Sequence, residues 1–279
     1  MQKTTFSLVK NHYFKLWGQM LATSAGILIS AATVSANVLG SAGNYGVLAG
    51  TSVTNTGDSV VTGYVGVAPG VTITGTSPGM TVDLAHAAAA QTDLVSAYSY
   101  LTSLKPSATD LTGQNLGGLT LAPGVYDFSV AAQLTGTLTL DAQNNPDARF
   151  VFIIGSTLTT ASSSIVNLVN VSTSVEGANN GIYWIVGSSA TLGNSTSFAG
   201  SILAITSITI NNDATIASGR ALAIGGTVTL DANNIDASDV SGGFGVEVPE
   251  PSTYALIGSS IALAFTVLRR KTVRRRSVG

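Results

Sequence analysis

Four copies of one short pattern run from Phe150 to Ile235, and they restrict the possible folds more than any other feature of the chain. In register they read FVFIIGSTLTTASSSI (150–165), IYWIVGSSATLGNSTSF (182–198), ILAITSITINNDATI (202–216) and ALAIGGTVTLDANNI (221–235). Each copy has an apolar strand, a Gly or Thr corner, a short strand carrying a threonine, a second polar corner and an apolar closing residue. The starts at 150, 182, 202 and 221 put three copies one coil apart, with an insertion in the first. A period of about 20 residues is that of stacked coils, because one coil has nothing to cover its own apolar side. The segments between corners are 4–6 residues long, too short for helices and rich in Ile, Val, Leu and Thr. The pattern predicts a β-solenoid with three short strands per coil.

In the middle strand of each copy an apolar residue (Leu158, Ala190, Ile208, Val228) stands between two hydroxyl residues. These are Thr157 and Thr159, Ser189 and Thr191, Ser207 and Thr209, Thr227 and Thr229. Strand side chains alternate faces, so an inward middle residue sends both hydroxyls outward. The segment 136–142 nearly duplicates 226–232 and predicts a fifth rung through Thr137 and Thr139. Stacking then builds two columns of hydroxyls and methyls on one flat face, with rungs about 4.8 Å and columns about 6.8 Å apart. A second row, Ser164, Ser197, Thr215 and Asn234, precedes the closing apolar residue of each copy and offers an alternative outward face.

Charge narrows the partners. Charged residues make up 9% of the 279, against about 25% in ordinary globular domains. Nine of the twelve basic residues lie near the termini, which leaves Lys105, Arg149 and Arg220 against thirteen acids between 37 and 247. That interval is negative and lacks the basic footprint of nucleic-acid binding. There is no cysteine, so disulfides and thiolate metal sites are excluded. No metal cluster, cofactor motif or catalytic triad is evident. Gly225-Gly226 lacks the strand–helix context of a phosphate loop, and a lone helical histidine, His86, carries no role. Asp141 and Asp231 are expected to organise turns through side-chain to backbone bonds.

Read in order, residues 1–36 form an export signal: Lys3, Lys10 and Lys15, an apolar stretch at 16–33, then Val34-Ser35-Ala36 as a small-residue cleavage site. The solenoid domain occupies 37–237, and 38–80 holds further, less regular coils. Residues 82–104 are the one helix, with Asp83 in its first turn. Its expected buried stripe is Leu84, Ala87, Ala88, Gln91, Leu94, Val95, Tyr98 and Leu101, and Pro106 ends the run. Such a helix should lie along one side of the solenoid. Residues 170–181 are a polar loop. A linker and Val248, Pro249, Glu250 and Pro251 fill 238–253, followed by an apolar run at 254–268 and a basic tail at 269–279. Fifteen residues span about 22 Å as a helix, short for a bilayer but workable with flanking arginines. The basic residues place the tail in the cytoplasm.

The tail resembles the PEP-CTERM sorting signal of Gram-negative bacteria, with motif, short span and arginines in order over 248–276. The resemblance implies an exosortase-type processing enzyme as partner, membrane contact only through the tail before processing, and placement at the outer surface or in the extracellular matrix. The domain resembles the DUF3494 ice-binding protein family. LGSAGNYGVLAG (39–50), GVAPG (66–70) and LAPGVY (121–126) carry the likeness, with 134–141, 150–160, 186–192 and 228–231. It implies an all-β, discontinuous right-handed β-solenoid of triangular section with one long α-helix packed alongside. It also implies the ice crystal surface as ligand.

Ice recognition calls for a flat, rigid, fairly apolar face with few strongly hydrated ions, and the Thr/Ser columns meet that demand. Threonine is also simply favoured at outward strand positions, so the columns alone do not decide. The second reading is a structural or adhesive surface protein of the exopolysaccharide matrix. An enzyme ranks third, because solenoid lyases cluster acids with basic residues and Arg149 and Arg220 are the domain's only arginines.

Overall fold

A computed structural model of the chain describes residues 38–172 and 181–238. The export signal read at 1–36 and the segments read as sorting motif, membrane span and basic tail lie outside the described residues. Each of the four copies folds as one coil of three strands. The first is Arg149–Ile154, Leu158–Thr160 and Ile165–Val169, and the second is Gly181–Val186, Ala190–Leu192 and Ser197–Ala199. Ser201–Ala204, Ile208–Ile210 and Thr215–Ala217 form the third, and Ala221–Ala223, Val228–Asp231 and Asn234–Ile235 the fourth. Corresponding strands pair in parallel from coil to coil and build three sheets of nine, seven and seven strands. The corners are tight: a Cβ at Gly187 would stand 2.6 Å from the Gly155 carbonyl oxygen one coil away.

Stacking order departs from chain order. The N-terminal coil, Tyr45–Ala49, Ser52–Thr56 and Val60–Val61, sits on the last copy, with Val47 opposite Ala221, Val53 opposite Val228 and Val60 opposite Asn234. Tyr64–Val67 and Thr72–Thr74 add a two-stranded coil beyond it, and Thr81–Val82 pairs on Tyr64–Val67 as the last rung of the first sheet. The chain then crosses to the opposite end of the stack. There Thr109–Asp110 and Thr120–Leu121 open it, and Gly124–Phe128, Ala132–Leu134 and Thr137–Asp141 form the coil beneath Arg149–Ile154. The solenoid is therefore discontinuous.

The helix Ala87–Thr102 makes that crossing along the outside of the first sheet. Its Ala87, Ala90, Leu94, Ala97 and Leu101 pack in one cluster with Leu48, Val151, Ile153, Tyr183, Ile185, Leu203 and Leu222. Strands of this sheet are thus covered on both sides, which is why Gly181–Val186 is buried throughout and reads as an unbroken apolar run. The helix is shorter than 82–104, because Thr81 and Val82 pair with Tyr64 and Val65 as strand. Asp83 stands ahead of the first turn, where its Oδ1 accepts the His86 N–H at 3.2 Å. The buried stripe is rotated as well: Leu84, Ala88 and Val95 are exposed, while Ala90 and Ala97 are buried. Two ties fix the helix in place. Gln91 Nε2 donates to Ala223 O at 3.1 Å, and Lys105 Nζ lies 2.9 Å from Asp127 Oδ1 just past the helix end.

Inside the coils the core is aromatic at one end and small at the other. Tyr126, Phe152 and Trp184 are in register on successive rungs, with ring centroids 5.4 and 4.0 Å apart. Trp184 also donates from Nε1 to Ala199 O at 3.0 Å. Polar groups line the corner between the second and third sheets. Thr160 and Thr196 share a hydrogen bond at 3.0 Å, and Asn233 Nδ2 donates to Asn211 O and Ala214 O. Arg220 is the largest buried polar side chain. It donates from Nε to Gly43 O at 2.7 Å and from Nη2 to Ala237 O at 3.4 Å, clipping the N-terminal 3-10 turn Gly40–Asn44 to the last coil.

Candidate functional site

The second sheet presents the regular face. One column of outward positions runs Gln133, Thr159, Thr191, Thr209, Thr229, Thr54 and Thr74, each opposite the next across a parallel pair. The inward residues beside it, Ala132, Leu158, Ala190, Ile208 and Val228, are all buried, so alternation sends the hydroxyls out. Two residues back along each strand lies the parallel column Thr157, Ser189, Ser207, Thr227, Ser52 and Thr72. Its serines are partly used by the fold: Ser189 Oγ accepts the Ser207 N–H at 3.3 Å, and Ser207 Oγ accepts the Thr227 N–H at 3.2 Å. In the threonine column none of the six hydroxyls bonds to another described residue. Their free donors and acceptors all face solvent. The one charge within the described strands of this sheet is Asp231, at the last position of its strand.

Thr157, Thr159, Ser189, Thr191, Ser207, Thr209, Thr227 and Thr229 are therefore brought together as the repeat implied. Thr137 and Thr139 are not. They pair with Ile165 and Asn167 in the third sheet, and the rung they were expected to supply is Ala132–Leu134, which puts Gln133 in the column. The near-identity of 136–142 and 226–232 misleads because the residues before them differ. Ala221–Ala223 leads directly into the second-sheet strand, whereas 129–134 fills that sheet before the chain turns at Gly136 with φ +90°.

The alternative row also changes membership. Ser164 is fully buried and donates to Leu134 O at 3.0 Å. Ile165 takes its place opposite Ser197, and the row becomes Thr137, Ile165, Ser197, Thr215, Asn234 and Val60. Two branched apolar residues and an amide make this face uneven in both chemistry and relief. Asp141 does organise its turn: it accepts from Asn170 Nδ2 and the Gln143 N–H, which hold its carboxyl below the usual carboxylate range. At 231 the roles are reversed, because the Asp231 N–H donates to Asn233 Oδ1 at 2.7 Å and Asn233 is the turn residue.

Four site residues escaped the sequence reading: Ser52, Thr54, Thr72 and Thr74. The available signal was the hydroxyl–apolar–hydroxyl triplet itself, since 52–54 (SVT) and 72–74 (TIT) match 207–209 (SIT) and 227–229 (TVT). Among the described residues no group of His, Cys, Asp or Glu is placed to hold a metal ion, and no helix is long and apolar enough to cross a membrane.

The described fold is a parallel solenoid with one side given to a nearly charge-free threonine ladder. The comparisons with known proteins name the class more closely. The chain belongs to the ice-binding-like family, whose profile matches residues 47–236. A PEP-CTERM protein-sorting motif matches 247–271. An ice-binding protein of Nostoc sp. (strain HG1) is 47% identical over 249 residues, covering 86% of this chain and 90% of its own. A crystal structure of an ice binding protein from an Antarctic biological consortium superposes with a TM-score of 0.64 at 41% identity, covering 70% of this chain and 88% of that one. The ice-binding protein of the Antarctic ascomycete Antarctomyces psychrotrophicus gives 0.62 at 33% identity, covering 71% and 97%.

Proposed function

We propose that the second-sheet face adsorbs to ice and that the protein acts outside the cell to shape crystals or restrain their growth. The observation that carries this reading is the column Thr159, Thr191, Thr209, Thr229, Thr54 and Thr74, six successive rungs whose hydroxyls have no partner among the described residues. Rungs about 4.8 Å apart and columns about 6.8 Å apart lie near repeats of ice surfaces. Methyls between the hydroxyls keep first-layer water from being pulled out of that spacing. Binding then runs through an ordered water layer rather than through strong direct bonds. The similar ice-binding proteins support the same ligand. Purified residues 37–247, frozen slowly onto a cold surface, should be enriched in the ice fraction, facet crystals and slow recrystallisation. A fragment that stays in the liquid and leaves crystals unshaped would rule the reading out.

We further infer that an export signal at 1–36 and an exosortase acting near Val248, Pro249, Glu250 and Pro251 deliver the domain to the outer surface or matrix of a Gram-negative cell. The order of motif, apolar run and arginines supports this. Deleting 248–279 should move the protein from the surface fraction to the soluble exported fraction. Unchanged fractionation would count against it.

A further inference from the structure

A cleft on another side of the molecule carries chemistry that the threonine face lacks. Tyr100 near the helix end, Pro123, Gly124 and Val125 at the start of one first-sheet strand, and Asp147 and Arg149 at the start of the next enclose about 420 Å³ open to solvent. That is within the usual range of small-ligand sites. Among the three described cations, Lys105 is paired with Asp127 and Arg220 is buried against Gly43 and Ala237. The Arg149 side chain alone makes no hydrogen bond or ion pair with a described residue. Arg149 is half-buried, so the cleft presents a planar fork of donors with no hydrogen-bond partner among the described residues. Beside it stand an exposed carboxylate, Asp147, and the half-exposed ring of Tyr100.

We propose that this cleft binds a carboxylated sugar unit, with Arg149 taking the carboxylate, Asp147 accepting from ring hydroxyls and Tyr100 packing on the apolar side of the sugar ring. A guanidinium fork matches a carboxylate in two parallel bonds. A neutral sugar leaves that fork unmatched. A multiply charged phosphate meets a single cation on a domain whose described residues count three bases against ten acids. One carboxylate on a polyhydroxylated ring uses all three side chains. The site is independent of the ice reading, since its residues lie on the helix, two first-sheet strands and the turns leading into them, none on the second sheet.

The test is calorimetric titration of the full chain with an α-1,4-linked galacturonate hexamer, galacturonic acid monomer and neutral maltohexaose. The hexamer should bind, maltohexaose should not, and added salt should weaken binding. Arg149→Ala and Tyr100→Ala should each weaken binding about tenfold or more, with melting temperature and ice shaping unchanged. Tyr100 is surface-exposed, so its variant decides the matter even if Arg149→Ala unfolds. Monomer binding that Tyr100→Ala weakens equally assigns the cleft to a single sugar acid, while hexamer binding alone assigns it to a polymer. Absence of binding to both galacturonate probes at millimolar concentration overturns the proposal. Equal affinity for maltohexaose does the same, as does binding undiminished in Tyr100→Ala.

Discussion

Replacing Thr209 with tyrosine is expected to leave the solenoid folded and to abolish ice shaping. Thr209 is the middle rung of the seven-rung column, with Thr191 and Thr229 directly above and below it. It is half-buried, and its hydroxyl bonds to no described residue. No core contact is lost, so the melting temperature should move by no more than about 1–2 °C, the shift of a neutral surface change. The phenol ring, however, rises well above a plane built of single methyls and hydroxyls, and lifts water on the flanking rungs out of register. Thr191→Lys acts by another route, because an ammonium imposes its own hydration shell on a face whose described strands otherwise carry only Asp231 at one edge. Crystals grown with either variant should be indistinguishable from those grown in buffer. Thr215→Tyr on the third sheet is the control and should keep activity. Wild-type faceting retained in both Thr209→Tyr and Thr191→Lys would make the ladder purely structural. Loss in Thr215→Tyr alone would move the site to the uneven third-sheet row.

The residues legible beforehand were those whose placement depends only on neighbours along the chain. The four coils, their three-strand division and the outward threonines at 159, 191, 209 and 229 follow from period-2 alternation inside a repeat. Choices between near-equivalent registers were not legible. Ile165 and Val166 are adjacent apolar residues, and nothing local says which one closes the coil. Taking Ile165 as inward shifts the register by one and flips Ser164 to the surface, whereas pairing of Ile165 with Ser197 buries it. Thr137 and Thr139 failed for a related reason, since a triplet of hydroxyl, apolar and hydroxyl residues suits any of the three sheets. Placement of the N-terminal coil on residues 221–235 is a pairing across most of the chain. Only the finished stack shows that Thr54 and Thr74 continue the column. The buried side of the helix at Ala90 and Ala97 is not legible, because in a run of four alanines (87–90) no residue differs from its neighbours, and only the helix–sheet cluster with Tyr183 and Val151 selects Ala87 and Ala90 over Ala88.

That long-range junction makes Arg220→Met the most damaging single change we expect for stability. The N-terminal coils meet the copy ending at Ile235 through strand pairing, core packing, the hydrogen bonds of Ser59 with Asn233 and of Thr56 with Leu230, and the Arg220 clip. Of these only the clip is a charged group. Methionine fills much of the volume but returns neither bond, leaving the buried Gly43 and Ala237 carbonyls with lost partners. A charge-assisted hydrogen bond contributes about 1.5–3 kcal/mol, and an orphaned buried acceptor costs about 1–3 kcal/mol. The combined loss is on the order of 3–5 kcal/mol, which corresponds to about 10 °C in melting temperature for a domain of this size. Arg220→Lys should fall between, because one ammonium on a flexible stem cannot reproduce two forked bonds. Undocking should start at the clip, so limited proteolysis ought to cut first between residues 38 and 86. Thr54 and Thr74 leave the column with that segment, and ice activity should then fall before global unfolding. If Arg220→Met melts like wild type, or if its first cleavage lies within 149–235, the clip is not what holds the two ends of the sequence together.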